Sequence, residues 1–209
     1  MKNIIFDLDG TLWDTTDVVA QAWSHAVDEI GGTAAKITPD ILKKQFGKTM
    51  TVIANELFFD ADAKTKALLI QQCIKHEQND LEKSTENLLY PGVQETLKTL
   101  SAKARLFIVS NCQIGYIELF LRKNKLEPYI EDWECFGNTN QDKAGNIQLL
   151  MKRNHLNHAV YVGDTQVDYK SAMAAGIPFI HAAYGFGTVP AQTKKIANIT
   201  DLLHCIEEL

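Results

Sequence analysis

From Tyr90 onward the chain alternates short apolar runs with segments of helical period, and this alternation restricts the fold more than any other feature. The runs are Leu106–Val109, Trp133–Phe136, Val160–Val162, Phe179–Ala182 and Ile196–Ile199, with helices expected at about 93–100, 113–124, 144–154, 167–175 and 201–208. Strand and helix in alternation predict the α/β class, a parallel and doubly wound sheet. Ile4, Ile5 and Phe6 form a similar run, of the kind a strand buried on both faces shows, and belong with that sheet.

Between the first strand and Tyr90-Pro91-Gly92 the pattern differs. Val18, Ala22, Ala26 and Ile30, flanked by Val19, Trp23 and Val27, recur at helical spacing up to Gly31-Gly32. Thr38-Pro39-Asp40 starts a short helix that stops at Gly47, Thr51–Phe58 can form another, and Ala63–Glu82 is again helical. With no convincing strand in it, the stretch 15–85 reads as a small all-helical domain inserted into a sheet domain made of 1–14 and 86–209.

At 209 residues and 45% hydrophobic, the chain has ample material for a packed core. A formal net charge of −5 and a pI near 5.7 argue against a nucleic-acid binder, so an anionic substrate needs a local positive site. The apolar run ahead of Asp7 is too short for a signal peptide, and no stretch approaches the roughly 20 residues of a membrane span. The expectation is a soluble, cytoplasmic protein acting on a small molecule, with no membrane partner, as a monomer or weak dimer. Cys73, Cys112, Cys135 and Cys205 are scattered and signal neither a zinc site nor a redox dithiol.

Open parallel sheets bind ligands beyond the carboxyl ends of their strands, and there the chemistry-bearing residues cluster. The first strand is followed by Asp7, Asp9 and Gly10, Val109 by Ser110-Asn111, and Val162 by Gly163-Asp164, while Lys143 follows Trp133–Phe136. In extended chain, residues two apart point the same way and lie about 6.6 Å apart, so Asp7 and Asp9 can face one site. Two like charges at the mouth of a core are tolerable if a cation sits between them or one carboxyl stays protonated; the alternative is a solvated Asp-Gly turn.

Asp164 ends its strand and Asp168 lies one helical turn later, able to reach back toward the site. The alternative makes Asp164 or Thr165 a helix cap and Asp168 a favourable first-turn acid. Ser110-Asn111 can likewise cap the next helix, and Asp142 can be the anion that answers Lys143. Taken together, four acids, a lysine and Ser-Asn at one sheet edge suit Mg²⁺ and a phosphate.

These motifs, in this order over essentially the whole chain, resemble those of haloacid dehalogenase superfamily phosphatases with a helical cap after the first strand, the phosphoglycolate- and phosphosugar-phosphatase-like members above all. The resemblance implies a phosphatase acting on a small phosphorylated metabolite, with Asp7 as the nucleophile that becomes an aspartyl phosphate and Asp9 as general acid and then base. Ser110 and Lys143 would hold the phosphoryl group. Magnesium would be bound by Asp7, the Asp9 main-chain carbonyl and Asp164, with Asp168 orienting the metal shell. Gly10, Asn111 and, from the cap loop, Lys48 are the expected substrate contacts. Asp7 and partial desolvation are expected to raise the pKa of Asp9 so that it can protonate a leaving alkoxide. Where many relatives place proline after the lysine, this chain has Ala144. A phosphosugar mutase using the same Asp7 and Asp9, and a binding protein without turnover, are the alternatives.

Overall fold

The computed structural model describes residues 2–205. The chain divides into two compact units, one made of 1–14 and 88–209 and the other of 15–87. In the first, Lys2–Phe6 forms β1, whose Ile4, Ile5 and Phe6 are fully buried.

The second unit is helical: α1 (Thr16–Ile30), α2 (Pro39–Lys43), α3 (Met50–Leu57) and α4 (Ala63–Lys83). Its boundaries follow local rules. Gly31, at φ 68°, ends α1, Thr38 caps α2 by accepting from Ile41 N, and Asp62 caps α4 by accepting from Thr65 N at 2.7 Å. The long helices α1 and α4 pack along each other, and Trp23 Nε1 donates to the buried Glu77 Oε2 across that seam at 2.7 Å.

The sheet unit continues with α5 (Val93–Ser101), β2 (Ala104–Ser110), α6 (Tyr116–Asn124), β3 (Asp132–Cys135), α7 (Phe136–Thr139), α8 (Lys143–Arg153), β4 (Val160–Gly163), α9 (Gln166–Ala175), β5 (Phe179–Ala182), β6 (Lys195–Ile196) and α10 (Leu202–Cys205). Every strand pairing among the described residues is parallel, in the order β3-β2-β1-β4-β5-β6. The chain runs outward from β1 to β3, then returns to lay β4 against the other side of β1. Right-handed crossovers in the two directions put helices on opposite faces. Accordingly α8 packs on β2 and β3 and α9 on β4 and β5, over a core of Ile5, Phe107, Val109, Ile147, Tyr161 and Phe179, with α5 against β2 elsewhere. The reversal falls between β1 and β4, where an open sheet leaves a crevice at its carboxyl edge.

Three differences from the sequence expectation have local causes. The last strand ends at Ile196 because the Asp201 carboxylate accepts from Ala197 N and Asn198 N at 2.9 and 3.0 Å, closing a turn. Helix α6 starts only at Tyr116, since Gly115 adopts φ 84°. The one-turn helix α7 carries no amphipathic period long enough to read. Residues 206–208 of the last expected helix lie outside the described residues. Among the described residues no helix is long and apolar enough to cross a membrane.

Candidate active site

Asp7 is held by the sheet although β1 ends at Phe6, because its N–H donates to Val162 O at 2.8 Å and carries the β1–β4 ladder one residue further. Its carboxyl emerges at the crevice, 1% exposed. There it meets Lys143, whose Nζ donates to Asp7 Oδ1 at 2.8 Å and to Asp168 Oδ1 at 2.6 Å. Lys143 opens α8, where its charge is unfavourably placed with respect to the helix dipole. The answering anions are Asp7 and Asp168. Asp142 is instead the cap of α8, accepting from Gly145 N at 2.7 Å.

The two carboxylate oxygens of Asp168 have different partners. Oδ2 accepts from Thr165 N at 2.9 Å and Thr165 Oγ1 at 2.5 Å, completing a capping box at the start of α9, while Oδ1 holds Lys143. Asp164, one residue past β4, accepts from Thr11 Oγ1 at 3.3 Å and from Phe186 N at 2.7 Å. Carboxylate oxygens of Asp7, Asp164 and Asp168 lie within 4.8 Å of one another.

Asp9 is not one of the three carboxylates of that group. The chain turns after Asp7, with Leu12 N donating to Leu8 O at 2.8 Å. The Asp9 carboxyl is half-buried and accepts from Tyr116 Oη at 2.8 Å. Ser110 ends β2, and Ser110 and Asn111 are 5% and 7% exposed. Neither caps α6, a role taken by Gly115. Gly10 sits at φ 80°, where an added Cβ would come within 2.3 Å of Asp164 Oδ2. Lys48 belongs to the helical unit and donates there to Glu56 Oε2 at 2.6 Å and Gln45 Oε1 at 3.1 Å.

Sequence reasoning passed over the wall behind Asp164. Gly185 packs so closely that a Cβ would lie 2.4 Å from Asp164 Cβ, and His181 Nε2 is 3.1 Å from the Asp164 carbonyl oxygen. Two glycines flanking Phe186 just past β5 were the available signal. Tyr116 left none, since an aromatic on a helix is ordinarily core.

Burial foremost, then the neighbouring Asp168, pushes the Asp7 carboxyl up from its ordinary 3.8 to about 6, against the pull of Lys143. Asp164 is raised well above the usual carboxylate range by burial and then by Asp168 and Asp7. For Lys143 burial works to lower the pKa, but Asp168 and Asp7 outweigh it and the group is raised. Three buried carboxylates thus face one ammonium, an excess of negative charge among hard oxygen donors. That set can coordinate a divalent cation.

The sequence model of the haloacid dehalogenase-like hydrolase family matches residues 4–182. A phosphoglycolate phosphatase of Pseudomonas syringae pv. tomato is 28% identical, the match covering 98% of this chain and 78% of that protein. One from Cereibacter sphaeroides is 28% identical over 91% of this chain and 88% of its own. Among solved structures, a Haemophilus somnus protein described as a predicted phosphoglycolate phosphatase superposes with a TM-score of 0.87 at 20% identity, covering 99% and 98% of the two chains.

Proposed function

The chain belongs to the haloacid dehalogenase-like hydrolases, and on that premise we propose that it is a magnesium-dependent phosphatase, hydrolysing a small phosphate monoester through an aspartyl phosphate on Asp7. The observation that carries this reading is the buried Lys143 ammonium bridging Asp7 and Asp168, with Asp164 beside them. Attack of a carboxylate on a phosphate ester brings two anions together, so positive charge must be fixed where they meet. Lys143 supplies part of it at Asp7. Magnesium, held by Asp7, Asp164 and the Asp9 carbonyl, would supply the remainder by neutralising charge on the phosphoryl oxygens.

Asp168 is assigned the part of orienting the metal shell, with Oδ1 holding Lys143 and Oδ2 the start of α9. Ser110 and Lys143 hold the phosphoryl group, with Gly10 and Asn111 beside the ester. Asp9 protonates the leaving oxygen and then takes a proton from the water that hydrolyses the phosphoenzyme. The unit at 15–87 is assigned the part of a cap that selects the leaving group, with Lys48 as its substrate contact. Relatives named phosphoglycolate phosphatase make phosphoglycolate the first ester to assay.

Rapid-quench labelling with phosphoglycolate, a panel of sugar phosphates and Mg²⁺ tests this. Label is expected to appear on Asp7 and to leave as inorganic phosphate. Label on another residue, or no phosphate release from any ester, would sink the reading. Label that leaves Asp7 only when a sugar phosphate is added makes the protein a mutase.

A further inference from the structure

The Asp9 carboxyl does not stand alone in its turn. Tyr116 Oη donates to its Oδ1 at 2.8 Å, and the tyrosine, 2% exposed, is held edge-on against Trp13 with ring centroids 5.4 Å apart at 63°. Trp13 is pinned in turn against Phe120 at 5.0 Å. The main chain of Trp13 also fixes the loop that carries the acid, since Asp9 and Trp13 are bridged and Gly10 N donates to Trp13 O at 2.9 Å. One residue therefore holds Asp9 by its backbone and, through its ring, holds the phenol that grips the Asp9 side chain. Tyr116 also opens α6, six residues past Ser110, so the bond ties the loop after β1 to the loop after β2.

We infer that Tyr116 is a positioning residue for the acid–base work of Asp9. This rests on the role given to Asp9 above. With Oδ1 accepting from the phenol, the proton passed to the leaving group is carried by Oδ2, and carboxyl rotation is restricted. A hydrogen bond of this kind costs no reorganisation at the moment of transfer, and the buried ring has little room to turn away. A bulky tyrosine is buried here for its hydroxyl as well as for its packing. Phenylalanine would fill the same space without the bond.

The test separates positioning from packing through the leaving group. Phenyl phosphate releases a phenolate whose conjugate acid has a pKa of about 10, like tyrosine, and so needs protonation, whereas dinitrophenyl phosphate releases a far weaker base that does not. In single-turnover rapid quench with Mg²⁺, Tyr116→Phe is expected to slow phosphorylation of the protein by phenyl phosphate about 10- to 100-fold, a share of what a general acid contributes. With dinitrophenyl phosphate the loss is expected to stay below about threefold, and adding Tyr116→Phe to Asp9→Asn should cost nothing more on either ester. Equal losses on the two esters, a loss that adds to that of Asp9→Asn, or no loss at all overturns the inference and leaves the role of Asp9 standing. If Asp9→Asn itself keeps the parent rate on phenyl phosphate, the acid–base reading falls and this inference falls with it.

Discussion

The sheet unit and the helical unit treat charge in opposite ways. At the carboxyl edge of the sheet Asp7, Lys143, Asp164 and Asp168 are each at most 1% exposed, whereas in the helical unit Lys48 and Glu56 pair with side chains 29% and 46% exposed. Arg105 with Glu131 and Arg153 with Asp132 show that the sheet unit also carries ordinary surface pairs, so the contrast concerns the crevice and not charge in general. A surface pair exchanges one set of water contacts for another and is worth little. A buried cluster has lost its water, so each member depends on the others, and groups whose charge depends on their neighbours are suited to chemistry.

The sharpest break of this comparison is Asp7→Asn. The amide keeps the shape but is a poor nucleophile, and turnover is expected to fall by at least about 10⁴-fold while the far-ultraviolet circular dichroism is unchanged. Residual activity within tenfold of the parent would take Asp7 out of the nucleophile's place. Next in size, Lys143→Met leaves Asp7 and Asp168 buried without their cation. Urea unfolding without metal should show a loss of about 3–5 kcal/mol. A loss under 1 kcal/mol would mean that the cluster does not depend on the ammonium.

The buried pair of the helical unit gives an intermediate case. Glu77→Ala strands Trp23 Nε1 at the α1–α4 seam and should cost about 1–3 kcal/mol, with activity on a generic aryl phosphate reduced far less than by either change above. Glu77→Gln, which keeps an acceptor, should recover most of that. A metal titration probes the cluster without mutation. Because Asp7 is raised from 3.8 to about 6, the metal-free native state keeps a proton through that window after the unfolded chain has released it. Native stability therefore falls as pH rises from 3.8 toward 6, and the ionised form that Mg²⁺ requires is lost as pH drops below about 6. Isothermal titration should show Mg²⁺ affinity weakening by up to about tenfold per pH unit below that point, with proton release on binding. A flat profile between pH 5 and about 7 would exclude Asp7 from the ion's ligands. The smallest effect should come from Lys48→Met, within about 1 kcal/mol in the same unfolding assay that reads Lys143→Met.

What could be read along the chain was what neighbours decide among themselves. Hydrophobic period marked β1, β2, β4 and β5, caps marked the starts of α2 and α9, and the burial of Ile4, Ile5 and Phe6 on both faces followed from an unbroken apolar run. The motif groups could be placed at strand ends because an open parallel sheet puts its ligands there, and Asp7 and Asp164 do flank the reversal between β1 and β4. Partners were another matter. Lys143 lies 136 residues from Asp7 and 25 from Asp168, and Tyr116 lies 107 from Asp9, so no local pattern says which anion a lysine answers or which acid a phenol holds. Local period and capping are energies between residues a few positions apart and survive in the sequence as pattern. The pairings of the site depend on how the crossovers bring strand ends together, and that is decided only when the sheet is assembled.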